Sequence, residues 1–200
     1  MLAAALAAVV PVSTQGQVAL SKEVEAKIKG IQVDGQFTPQ FSVPNVKDKR
    51  FRPKTWLEMD VAFEAKKNTT VDKNPVIDAL DFKYFIGLNA KTKEGKNYVL
   101  TASVSYVNIM EKEEHHTLVY VSPSALLNLL QKNTFVAADV QASGVEIYKG
   151  GALCGWMSSS GQRWWANLDA FAVVDGMLLP KLKTPFAPLW GDYDLESKAQ

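Results

Sequence analysis

The dominant pattern along the chain has a period of two. In residues 56–65 (WLEMDVAFEA), Leu57, Met59, Val61, Phe63 and Ala65 fall on one side and Glu58, Asp60 and Glu64 on the other, the alternation of a strand with one buried and one wet face. Residues 80–88 repeat it, with Leu80, Phe82, Tyr84, Ile86 and Leu88 alternating with Asp81, Lys83, Phe85 and Gly87, and residues 98–109 alternate over a longer span. Lys93-Glu94-Gly95-Lys96 between them is a turn signal, so these two segments read as an antiparallel hairpin. Residues 28–37 read as an earlier strand and 117–121 as a short one. Ser122 then suits an N-cap and Pro123 the first helical position, with 125–132 (ALLNLLQK) spaced for two apolar helical turns. Beyond that helix, 135–148 returns to β character, Gly150-Gly151 makes a turn, 153–157 is a strand, 158–161 a loop, and 163–168 a further strand or strand end.

Seven or eight strands with one short crossover helix, and no repeated β-helix-β rhythm, predict a mainly β protein: an antiparallel immunoglobulin-like β-sandwich. The single cysteine, Cys154, rules out the paired Cys of antibody domains. Trp56 or Trp156 is then the candidate for a central core tryptophan. Cys154 has only small or apolar neighbours and no Lys or His beside it, which reads as a small core residue in preference to a reactive thiol.

Charge changes the picture mainly by where it is missing. Residues 1–21 contain no Asp, Glu, Lys, Arg or His, and 2–12 (LAAALAAVVPV) form an apolar run of signal-peptide length, shorter than the roughly 20 residues a membrane span needs. It lacks a positive n-region, and a buried N-terminal helix is the competing reading. Cleavage falls after Gly16, with Thr14 at −3, or after Ala19. The expected organisation is a secretory signal peptide over 1–19, one immunoglobulin-like domain over 20–192, and a flexible tail over 193–200. The protein is thus expected to be exported, to the periplasm, the outer membrane or the cell surface, with no transmembrane span in the mature chain. Over the whole chain, 22 Lys plus Arg balance 21 Asp plus Glu, a net charge of +1, which supplies no field for a nucleic-acid backbone.

Candidate chemistry is sparse. Glu113-Glu114-His115-His116 holds both histidines of the chain, but neighbours on a strand point to opposite faces and cannot share a tetrahedral ion; a solvated turn is the expected setting. There is no G-x-S-x-G elbow, P-loop or dinucleotide fingerprint. No catalytic, cofactor-binding or metal-ligating residue is therefore assigned. Five Trp and six Tyr leave a sugar-stacking platform open as an alternative, with Trp164, Trp165 and Trp190 as the contact residues, against the competing reading that these rings fill the core.

Residues 179–190 (LPKLKTPFAPLW) are interrupted by Pro180, Pro185 and Pro188, so they form neither a regular helix nor a central strand, yet Phe186, Leu189 and Trp190 call for burial. An extended strap packed on the sandwich satisfies both. This ending, with Trp164-Trp165 and the 56–65 strand, resembles a family of small exported proteins encoded beside type IV-like pilus genes in gut mucin-degrading bacteria. The resemblance covers residues 28–190. It implies an immunoglobulin-like fold, no enzymatic activity and no cofactor, and a structural or interaction role in a pilus or outer-surface assembly with envelope or pilus proteins as partners. A glycan-binding module that contacts host glycans is the alternative, and a small hydrolase the third reading.

Overall fold

The computed structural model describes residues 19–68, 73–132 and 134–198. All of the signal-peptide reading over 1–19 except Ala19 lies outside the described residues. Nine strands lie among the described residues: β1 (Val24–Phe37), β2 (Thr55–Lys67), β3 (Val76–Lys91), β4 (Asn97–Met110), β5 (Glu114–Val121), β6 (Val140–Lys149), β7 (Ala152–Ser158), β8 (Ala172–Asp175) and β9 (Leu178–Pro180), with helix α1 (Pro123–Leu130) between β5 and β6. They form a four-stranded sheet in the order β1-β2-β5-β9 and a five-stranded sheet in the order β7-β6-β3-β4-β8. Within them, β1-β2-β5 and β7-β6-β3-β4 correspond to the A-B-E and G-F-C-C′ orders of immunoglobulin sandwiches. All strand pairings are antiparallel except β4 with β8.

The period-two pattern decides what is buried. Leu57, Met59, Val61 and Phe63 of β2 and Leu80, Phe82, Tyr84, Ile86 and Leu88 of β3 are all fully enclosed between the sheets. Phe63 and Phe82 meet edge to face at 5.0 Å, and Phe82 meets Tyr106 at 5.1 Å. The Tyr84 hydroxyl lies 2.8 Å from Thr117 Oγ1 and 3.1 Å from the Tyr106 hydroxyl, so three buried hydroxyls satisfy one another and the polar atoms cost little. No tryptophan occupies this centre. Trp56 sits in a separate cluster with Leu118, Tyr120, Phe186 and Leu189, and Trp156 is 41% exposed; phenylalanines and tyrosines fill the volume assigned to a central indole.

Helix α1 forms where its capping residues predict. Ser122 Oγ accepts from Ala125 N at 3.2 Å, Pro123 opens the first turn, Leu126 and Leu129 are buried, and Gln131 ends the helix in the left-handed region at φ 55°. The β3–β4 turn closes at Gly95 with φ 84°. Residues 163–168 depart from the expected strand: two short 3-10 turns, separated by a kink at Asn167 (φ −120°, ψ 74°), span Trp164–Ala170, because Trp165 turns down into a slot on the sheet described below.

Both long sides of the sandwich are sealed by irregular chain. On one side, Ser21 N donates to Leu153 O and Leu153 N to Ala19 O, each at 2.8 Å, and β1 comes so close to β7 that a Cβ on Gly155 would lie 2.1 Å from the Ala26 carbonyl oxygen. On the other side lie the strap and the segment after it. Phe186 is 1% exposed and stacks on Tyr120 at 4.5 Å. Residues 193–198, expected to be part of a flexible tail, are packed: Leu195 N donates to His116 O, Val107 N to Glu196 O and Lys198 N to Ser105 O, which ties β5 of one sheet to β4 of the other. Asp194 pairs with Lys181, each side chain 9% exposed.

Candidate functional site

The candidate site follows from the outward half of the alternation on the five-stranded sheet. With Phe82, Tyr84 and Ile86 inward, Asp81, Lys83 and Phe85 of β3 point away from the core, and register carries this across the sheet. Phe85 pairs with Thr101 and Gly144, and Gly144 with Ser158; Lys83 pairs with Ser103 and Glu146, and Glu146 with Trp156. One transverse row therefore reads Ser103, Lys83, Glu146, Trp156. The chain that returns after β7 lies over part of this face. Gly161, at φ 75°, turns it back over the sheet, and Lys96 Nζ holds the Asp169 carbonyl at 2.9 Å.

That return segment is fastened by Trp165. Its ring lies on Gly144, where a Cβ would come within 2.0 Å of it, and stacks on Phe85 at 4.9 Å with planes 8° apart. Only glycine leaves this slot open. The indole Nε1–H donates to Glu146 Oε1 at 2.9 Å, Arg163 pairs with the same oxygen, and the Tyr148 hydroxyl donates to Oε2 at 2.7 Å. Glu146 is only 4% exposed. Burial acts to raise its pKa, but the hydrogen bonds from Tyr148, Trp165 and Arg163, with the Arg163 charge, together outweigh it and hold the carboxyl below the ordinary range. Burial and then Glu146 push the Tyr148 phenol up to about 12. Three hydrogen bonds converge on the Glu146 carboxylate, two on Oε1 and one on Oε2, so it anchors the return segment to the sheet.

What remains open is a groove of about 910 Å³, lined among others by Lys83, Phe85, Thr101, Ser103, Trp156 and Val173. Trp156 presents an edge to Trp165 at 6.3 Å and lies under the Arg163 guanidinium at 5.9 Å. Val173 is 46% exposed, and Ser103 and Lys83 are exposed. An apolar floor, an aromatic wall, the hydroxyls of Thr101 and Ser103 and the cations Lys83 and Arg163 suit recognition. Both histidines lie on β5 in the other sheet, away from this groove.

The three tryptophans named from sequence do not form one platform. Trp165 is 4% exposed and sandwiched. Trp164 is half-buried, its ring over Gly87 and against Phe171 at 5.7 Å, with Nε1 buried and unpartnered. Trp190 is 44% exposed but belongs to the strap, stacked on Phe186 at 6.3 Å, on the outer side of the four-stranded sheet. Trp156, a candidate core residue from the sequence, and Arg163, which the sequence reading passes over, both line the groove. The signal lies in 153–157: once Gly155 and Met157 face inward, Trp156 has to face out. His115 and His116 sit on a strand and not in a turn, on opposite faces. His115 Nε2 lies 2.8 Å from Met110 O, and His116 Nδ1 lies 2.9 Å from Asp60 and its ring 4.3 Å from Tyr193. Among the described residues no three His, Cys, Asp or Glu are placed to share a metal. Cys154 is half-buried, its thiol pushed up by burial.

A protein-family model matches residues 17–200. Among solved structures, a crystal structure of a protein from Akkermansia muciniphila, a gut mucin-degrading bacterium, superposes with a TM-score of 0.78 at 23% identity, covering 89% of this chain and 95% of that one. At that identity the likeness speaks for the fold. No curated protein matches the chain.

Proposed function

This chain belongs to the family whose model matches residues 17–200, and on that premise we propose that it is an exported, non-enzymatic interaction protein of a pilus or outer-surface assembly that holds a protein partner in the groove of its five-stranded sheet. The observation that carries this reading is the anchored return segment. A glycine slot, an aromatic stack and a buried ion pair fix the wall of the groove while leaving Trp156 41% exposed. Large aromatic side chains beside arginine are the residues that dominate protein interfaces. A pyranose ring needs a free, flat π face; here Arg163 lies over Trp156, and Trp165 is covered by Phe85 and Gly144. These contacts favour a protein segment over a glycan. Export is supported by the charge-free apolar residues 1–21, most of which lie ahead of the matched region.

The test compares the unaltered protein with W156A and K83E as immobilised baits for solubilised envelope proteins of the source organism. Both changes lie on exposed positions, so melting curves should coincide. Retention of one partner by the unaltered bait and its loss by both variants is the expected result. Equal retention by all three contradicts the groove. Elution of the bait's partner by mucin oligosaccharides transfers the site to the glycan reading.

A further inference from the structure

β1 and β2 are joined by a long connection that enters neither sheet. Val24, Ala26 and Ile28 of β1 are buried, but no residue from Lys29 to Phe37 is. The ladder ends where Thr38 N donates to the Lys54 carbonyl at 2.9 Å and the Thr38 hydroxyl accepts from Trp56 Nε1 at 3.1 Å. Past this clasp, residues 39–53 form an arm without strand or helix. Pro39, Pro44 and Pro53 remove backbone donors, and Asn45 takes the left-handed region at φ 65°, so the arm cannot add a strand to a partner's sheet.

Two kinds of side chain alternate along it. Phe37 (70% exposed), Phe41 (55%), Val43 (53%), Val46 (64%) and Phe51 (51%) project into solvent, and none joins either core cluster. Between and beside them stand Lys47, Lys49, Arg50, Arg52 and Lys54, exposed and, among the described residues, without an ion pair, against the single acid Asp48. Four cations against one anion give residues 39–53 a net of +3, and Lys54 adjoins them, while the whole chain carries +1. The charge that the total conceals is therefore gathered on one connection, the same segment that exposes the apolar side chains.

We propose that this arm is a lipid-binding device that seats on an anionic bilayer, with Phe41, Val43, Val46 and Phe51 entering the interface and the cations of residues 47–54 on the headgroup phosphates. Spread along the arm with cations among them, these apolar residues do not build the compact apolar centre of a protein interface. A bilayer interface accepts scattered aromatic and aliphatic side chains at shallow depth, and each Lys or Arg near an anionic leaflet strengthens binding by about fivefold. The arm extends from the four-stranded sheet and none of its residues lines the groove on the five-stranded sheet, so both surfaces can be occupied together.

Co-sedimentation of the whole chain with phosphatidylcholine vesicles, with and without 30% phosphatidylglycerol as a chosen probe (~30 mol%), tests this, using K49E/R50E/R52E and F41S/F51S beside the unaltered protein. The expected result is retention on the anionic vesicles only, weakened by salt, reduced at least about a hundredfold by the charge reversals and clearly reduced by the Phe substitutions. Melting curves should coincide, because every altered residue is exposed. Equal retention of all three proteins overturns the proposal and assigns binding to the apolar N-terminal run that they share. Absence of retention overturns it as well, and arm-dependent self-association in sedimentation velocity would then name a second copy of the chain as the occupant.

Discussion

Replacing Phe186 with Ala tests whether the C-terminal strap is part of the folded domain. The ring is 1% exposed, stacked on Tyr120 at 4.5 Å with planes 8° apart, met edge-on by Trp56 at 5.7 Å, and covered by Trp190 at 6.3 Å. A Phe-to-Ala change in a closed core costs about 3–5 kcal/mol, from lost transfer energy and from the cavity left behind. This cluster lies outside the main core, under a strap joined by only a short β9 ladder to β5, so partial collapse should place the cost near the lower end, at about 3 kcal/mol. For a domain of this size that is a fall in Tm of about 6–12 °C, and a substantial share of the roughly 5–15 kcal/mol that holds a native protein together. Urea unfolding followed by near-ultraviolet circular dichroism reports on the aromatic cluster and on global stability in one experiment. F186L, which keeps most of the volume, should recover most of the loss. A midpoint for F186A equal to that of the unaltered protein would mean that the strap is solvated and its aromatic side chains are free for a partner.

Truncation after Asp192 removes Asp194 and leaves the Lys181 ammonium, 9% exposed, without its carboxylate; stranding a buried charge costs about 3–5 kcal/mol, so urea midpoints should fall sharply, and an unchanged midpoint would restore the free-tail reading. Gly155→Ala places a methyl group 2.1 Å from the Ala26 carbonyl oxygen. The methyl is fixed rigidly to one backbone and the oxygen belongs to the other, no rotamer relieves the clash, and a loss of about 3 kcal/mol is expected; a silent variant would mean that β1 and β7 are not closed on each other. Because the folded Glu146 carboxyl titrates below its ordinary range, its contribution should be complete above the unfolded value of about 4.3 and be lost as pH falls through the lowered folded value. E146Q should accordingly lose less stability than the unaltered protein on going from about pH 5 to pH 3, and parallel acid profiles would refute the assignment.

The sandwich is legible in the sequence wherever one face is buried and the other wet. Leu57 to Ala65 and Leu80 to Leu88 name the core directly, since a slip of one residue would expose every apolar side chain. Helix α1 is legible through Ser122 and Pro123. Legibility fails where a side chain is held by something distant in sequence. Trp164-Trp165 reads as strand because bulky aromatic residues favour extended backbone, yet Gly144, some twenty residues earlier, opens the slot that draws the segment into two short 3-10 turns. The polar residues 193–198 look solvated, but their backbone groups complete the edges of β4 and β5, and Asp194 is called in by Lys181; edge completion leaves no hydrophobic pattern to read. For the site, aromatic enrichment points to the right residue type and the wrong members. Trp165 is the fastening and Trp156 the exposed wall, a distinction set by strand register in β7.

The account rests on the outer face of the five-stranded sheet being the partner-binding surface, and site-specific photo-crosslinking tests it most directly. A photoreactive residue is placed at Ser103, exposed in the groove, and in a second protein at Lys66, exposed on β2 in the other sheet, each produced in the source organism and illuminated in intact cells. The account predicts one discrete protein adduct from position 103, abolished by W156A in the same chain, and none from position 66. Adducts of equal yield from both positions, or from position 66 alone, would contradict it.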